Sequence, residues 1–191
     1  KIHKARIELH WKYLTSKRFS YRMDTSDFLD QRKKLPTQSA YIYQLKEEHE
    51  FIGLVCHSVI HHSLSIFKQV LDIAMYIENY DMDWVYISNW CKSCKMTRMF
   101  AFAIMLAAEI FDLEINHLID KFKINQTKRS KYLQNHINLF FQNKKGDYFL
   151  NKLNMIYLSE TPRSMFGTFF RIFSMEEFKD IKMKYFHKQG R

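Results

Sequence analysis

"KEEHEFIGLVCHSVIHH" (46–62), followed directly by "SLSIFKQVLDIAMYIENY" (63–80), decides how this chain folds. In the first stretch Glu47, Glu48 and Glu50 fall where a helix opens, and the partial positive charge of a helix N-terminus favours acids there. Phe51, Leu54, Val55 and Val59 then recur at helical spacing. The second stretch repeats the pattern with Ile66, Phe67, Val70, Leu71, Ala74 and Ile77.

Toward the C-terminus, "DMDWVYISNWCKSC" (81–94) and "TRMFAFAIMLAAEIFDL" (97–113) follow after a few polar residues. Four such segments with short joints predict a compact antiparallel bundle. With four Gly and two Pro in 191 residues, turn chemistry for a many-stranded fold is lacking, so the expected class is mainly α. The apolar run at 99–111 is too short to span a bilayer and is read as a buried central helix. Beyond residue 116 the chain is more polar and more basic. It predicts a helix from Thr127 to Asn143, a segment near 147–158, one after Pro162, and a last helix with Ser174 as cap and Glu177 at the capping-box position.

Toward the N-terminus, Asp24 to Lys34 carries cap candidates and stops before Pro36, which predicts a helix. "SAYIYQL" (39–45) is a brief strand candidate. "RIELHWKY" (6–13) alternates with period two: Ile7, Leu9, Trp11 and Tyr13 on one face, Glu8, His10 and Lys12 on the other. A lone strand leaves its hydrogen-bonding edges open, so it needs a partner, either within 39–45 or ahead of Lys1.

The formal net charge is +10, with basic residues spread through short runs such as RKK, KFK and KRSK. That balance suits a polyanionic partner or a phosphate-bearing substrate, and equally a solvated surface. Aromatics interleave with it in "KFKINQTKRSKY" (121–132), which points to nucleic acid without any accompanying motif. Three cysteines are too few for a disulfide framework, and the opening residues have no secretory-signal pattern, so the expected location is cytoplasmic with no membrane partner.

Several constellations bear on chemistry. Glu8 on the polar face of a strand is either a carboxylate presented to Mg²⁺ or an exposed side chain on an edge. His57 and His61 stand four apart and share a helix face, but Ser58 stands where a zinc hydrolase carries its general-base Glu. Such a pair lines a polar pocket more often than it binds metal. Asp72, among apolar neighbours in sequence, has an imidazole or Lys68 at i−4 as its natural partner. "CKSC" (91–94) is a single CxxC at the end of a helix; His57 and His61 would be needed to complete a zinc site.

In their order, "IELHW", "LVCHSVIHHSLSIFKQVLDIAMYI" and "DMDWVYISNWCKSCKMTRMFAFAIMLAAEIFDL" resemble the uncharacterised bacterial nucleotidyltransferase-like family of the DNA polymerase β-type superfamily. The matching pieces are Glu8-Leu9-His10-Trp11, His57 with His61, Leu71-Asp72, and Asp83-Trp84. The resemblance covers residues 6 to about 113 and omits the basic region after 116. It implies Mg²⁺-dependent transfer of a nucleoside monophosphate from an NTP to an unknown acceptor, with Glu8 as the third carboxylate of a two-metal site. His10, His57, His61, Lys68 and Asp72 would then bind substrate. The superfamily's Gly-Ser turn and Asp-x-Asp strand are absent from this chain, so the resemblance makes it a C-terminal portion, catalytically incomplete by itself. Residues 1–45 would be the remnant of the sheet with a connecting helix, 46–115 the bundle, and 116–191 a basic helical region packed on it. A non-enzymatic basic helical module for nucleic acid or a protein partner is the alternative.

Overall fold

The computed structural model describes residues 26–36, 42–60, 62, 64, 66–122, 133, 137, 158, 160 and 165. Their order is α1 (Ser26–Asp30), β1 (Lys33–Lys34), β2 (Tyr43–Gln44), α2 (Glu47–Ile60), α3 (Phe67–Asn79), α4 (Trp84–Ser93), α5 (Thr97–Phe111) and α6 (Asn116–Ile119). The fold is mainly helical, with a two-stranded antiparallel sheet ahead of the bundle.

The helix expected over 24–34 is helical at Ser26–Asp30 and then turns into β1. Two forces oppose its continuation. Pro36 disfavours helical backbone at Leu35, and Lys33 is drawn to Glu47, its Nζ donating to Oε2 at 2.7 Å. That contact raises the Lys33 pKa and lowers that of Glu47. Lys33 pairs with Gln44 and Lys34 with Tyr43, so the strand expected within 39–45 exists and its partner is β1. The strand read at 6–13 lies outside the described residues, as does the helix read from Ser174; of the segment read after Pro162, Met165 is described and is helical. Of the helix read at 127–143, Leu133 and Ile137 are described, and both are helical.

α2 touches α3, α4 and α5, and α5 also packs against α3 and α4. α5 is buried almost all round, through Met99–Ile104 and Leu106–Ala108, as its unbroken apolar run requires of a central helix. Phe51 of α2 sits in an aromatic cluster with Trp84 at 5.3 Å and Phe100 at 6.3 Å between ring centroids. α1 is fastened by Phe28, which stacks on the fully buried His49 at 4.2 Å. His49 Nε2 lies 2.7 Å from the Tyr86 hydroxyl, a hydrogen-bonded contact that ties α2 to α4 inside the core. On α3 the buried face is Val70, Ile73 and Ala74. Phe67 and Leu71, grouped with them in the sequence reading, are exposed, because a stripe through residues 70, 73, 74 and 77 leaves 67 and 71 at its flank.

Helix ends carry the specificity that the scarce glycines do not. Asp83 caps α4, its carboxylate accepting from Val85 N at 3.0 Å and Tyr86 N at 2.9 Å. At the other end Lys95 adopts φ 56°, with Lys95 N donating to Lys92 O and Met96 N to Cys91 O, a Schellman closure built without glycine. α5 starts after Met96, which has no capping acceptor; Glu160 supplies one by accepting from Arg98 N. Leu133 and Leu158 join the same core, so the chain beyond 122 contributes to the bundle at these points.

Candidate functional site

Leu54 of α2 and the outward side of α3 enclose a groove of about 460 Å³, lined by Leu54, Asp72, Met75, Tyr76, Asn79 and Tyr80. Its position follows from helix phase. α3 spends its apolar face on α5 and α2, and the next face round presents Asp72, Tyr76 and Asn79 beside α2. Tyr76 and Tyr80, one turn apart, stack with centroids 4.7 Å apart and 20° between planes. Tyr76 also donates its hydroxyl to Glu50 Oε2 at 2.7 Å, which fixes that ring against α2. Asn79 Nδ2 donates to Met75 O at 2.9 Å, leaving its Oδ1 as an acceptor.

Asp72 is held by Lys68, whose Nζ donates to Oδ2 at 2.7 Å across one turn of α3. Of the two partners the sequence offered, the lysine is the one found. The pair is open to solvent, with the side chains 78% and 35% exposed for Lys68 and Asp72. That much solvent keeps the attraction worth well under about 1 kcal/mol, so the pair orients a carboxylate more than it stabilises the fold.

The remaining site residues fall apart from this groove. His57 is half-buried near the end of α2, and the imidazole found against it is that of His62, with Nε2–Nε2 3.1 Å and ring centroids 4.9 Å apart. At that separation one ring nitrogen donates and the other accepts. His61, Glu8 and His10 lie outside the described residues. Sequence spacing favoured His57 with His61; His62, five residues on, is reached because α2 ends at Ile60 and the helical register no longer applies.

The cysteines are inert by environment. Cys56 and Cys91 are fully buried, and burial pushes both thiols far above their ordinary range; Cys94 is raised for the same reason. Buried protonated thiols are poor nucleophiles and poor metal ligands. Among the described residues no group of three or more His, Cys, Asp and Glu is arranged to hold a metal ion.

The groove residues Met75, Tyr76, Asn79 and Tyr80 were not legible as a site. The available signal was two tyrosines four apart beside Asp72, and such a stripe reads equally well as core.

The segment holding both Glu8 and the groove is the one with a family counterpart: the family model of uncharacterised nucleotidyltransferases matches residues 2–112, more than half of the chain. The chain belongs to that family. No curated protein and no solved structure matches it. Family membership agrees with the resemblance carried by Glu8-Leu9-His10-Trp11, Leu71-Asp72 and Asp83-Trp84. In the structure Asp83 acts as the N-cap of α4. Among the described residues no helix is long and apolar enough to cross a membrane.

Proposed function

We propose that this nucleotidyltransferase-family chain takes part in transferring a nucleoside monophosphate from an NTP to an acceptor seated in the α2–α3 groove. The observation that carries the proposal is the family match over residues 2–112, which spans Glu8 and the groove together. The reaction class requires Mg²⁺, which when bound neutralises the triphosphate and activates the acceptor oxygen. Glu8 is the ligand this chain would contribute; the described residues supply no set of carboxylates to complete the site.

The chain's own groups have simpler tasks. Lys68 holds the Asp72 carboxylate at the groove wall, and Asp72 and Asn79 Oδ1 accept hydrogen bonds from the acceptor. His57, near the end of α2, is proposed to contact substrate together with His10 and His61. The full-length native protein, incubated with α-labelled NTPs and Mg²⁺, tests the reading. Glu8→Ala should reduce transfer at least about a hundredfold while helical content is unchanged; undiminished transfer overturns the role given to Glu8.

A second reading, binding of nucleic acid or a protein partner through basic surface, is favoured by the distribution of charge. Between residues 47 and 91 Lys68 is the sole Lys or Arg, so the excess of +10 comes from the rest of the chain. Binding to generic RNA that falls steeply with salt supports it, and flat non-binding removes it.

A further inference from the structure

The groove has the wrong charge for a polyanion and a suitable chemistry for a cation. Residues 47–91 carry seven carboxylates, Glu47, Glu48, Glu50, Asp72, Glu78, Asp81 and Asp83, against one ammonium, Lys68, in a chain whose total is +10. The groove lies within this reversed segment, with Asp72 in its wall and Glu50 hydrogen-bonded to Tyr76, which lines it. Charge reversal alone would specify no ligand; the shape and the aromatic pair do.

We infer that the α2–α3 groove binds a small organic molecule carrying a protonated primary amine, through Asp72, Asn79 and the Tyr76–Tyr80 pair. Three features of the geometry converge. At about 460 Å³ the space suits a small molecule and not a helix or a strand. The stacked tyrosines make an extended aromatic wall, and an ammonium near a tyrosine face is stabilised by the ring quadrupole. Asp72 still has acceptor capacity. Lys68 engages Oδ2 only, and an ionised carboxylate accepts about four hydrogen bonds. Asn79 Oδ1 adds a neutral acceptor suited to N–H or O–H groups of the same ligand. Leu54 and Met75 cover the hydrocarbon part.

Lys68 has a definite place in this arrangement. It is the ligand amine's competitor for Asp72, since both are ammonium groups seeking one carboxylate. Its removal therefore strengthens amine binding, whereas a groove built for phosphate would weaken on losing the lysine paired with its wall. The two readings predict opposite signs for the same substitution.

The role of the bound amine as transfer acceptor rests on the proposed function; the binding does not. Ligand-observed NMR on the full chain without NTP is the test, using amines paired with their hydroxyl counterparts: glucosamine with glucose, 1,4-diaminobutane with 1,4-butanediol, and cyclohexylmethylamine with cyclohexylmethanol. At least one amine should bind saturably and about tenfold more tightly than its counterpart. Asp72→Asn should weaken that binding about tenfold, and Lys68→Met should strengthen it severalfold. Equal binding of amine and alcohol, no saturable amine, an unchanged affinity in Asp72→Asn, or weakening in Lys68→Met each overturns the inference. Amine binding with no transfer activity would remove the proposed reaction and leave the site.

Discussion

Tyr76 donates its hydroxyl to Glu50 Oε2 at 2.7 Å, joining the middle of α3 to the first turn of α2 across 26 residues of sequence. The carboxylate is thereby held at the positive end of α2 while the phenol ring forms a wall of the groove. One hydrogen bond thus sets both a helix–helix contact and the shape of a site.

Tyr76→Phe keeps the ring and removes this bond. A part-buried hydrogen bond to a charged group is worth roughly 1.5–3 kcal/mol, and partial exposure places the loss at the lower end. Urea denaturation should show a fall of about 1.5 kcal/mol. A double-mutant cycle with Glu50→Gln should recover most of it as coupling.

Asp83 serves as N-cap of α4 with two bonds to backbone N–H groups, and its own N–H donates to Glu48 Oε1 at 3.1 Å. Asp83→Ala should cost about 1–2 kcal/mol, and Asp83→Asn much less, because asparagine caps nearly as well. Thermal melts of the two variants separate capping from charge. Equal losses would point to an electrostatic role.

Lys95, exposed and at φ 56°, holds a left-handed conformation that costs an L-residue roughly 1–2 kcal/mol. Lys95→Gly should relieve it and stabilise the protein by about 0.5–1 kcal/mol after the added chain entropy of glycine. Lys92→Gly, in the right-handed last turn of α4, should instead destabilise, by at most about 1 kcal/mol.

The thiols fix an alkaline limit. Cys56, Cys91 and Cys94 have raised pKa values through burial, so above an ordinary thiol pKa near 9.0 the unfolded chain loses protons that the folded chain retains. Stability therefore falls with rising pH in that window and is unaffected by these groups below it. Denaturation midpoints at pH 8 and pH 10 should differ, and less so in Cys56→Ala. At pH 8 none of the three thiols should react with a disulfide reagent until the protein is unfolded.

Much of the bundle was written locally. The apolar recurrence in 46–62, 63–80, 81–94 and 97–113 placed α2 to α5 within a few residues of their observed limits, because each periodic face has to meet another helix. Asp83-Trp84 likewise announced a helix start. Locality failed where a distant group intervened. "QRKK" (31–34) was read as the end of a helix, yet Pro36 and the pull of Glu47 on Lys33 accompany a turn at Gln31 and a strand at Lys33–Lys34. Leu71 was grouped with the apolar face of α3, but the phase of that helix, set by packing on α5, leaves it exposed and Asp72 half-buried.

The sequence by itself determined the helical class, the acidic character of residues 47–91 and the family motifs, since these depend on residue type and spacing alone. Only the tertiary structure decided which face of α3 becomes a groove, that His57 meets His62, and that Glu160 caps α5 from 62 residues away. Each of these depends on how one helix is rotated against another. That rotation is fixed by the sum of many side-chain contacts, which no single stretch of sequence contains.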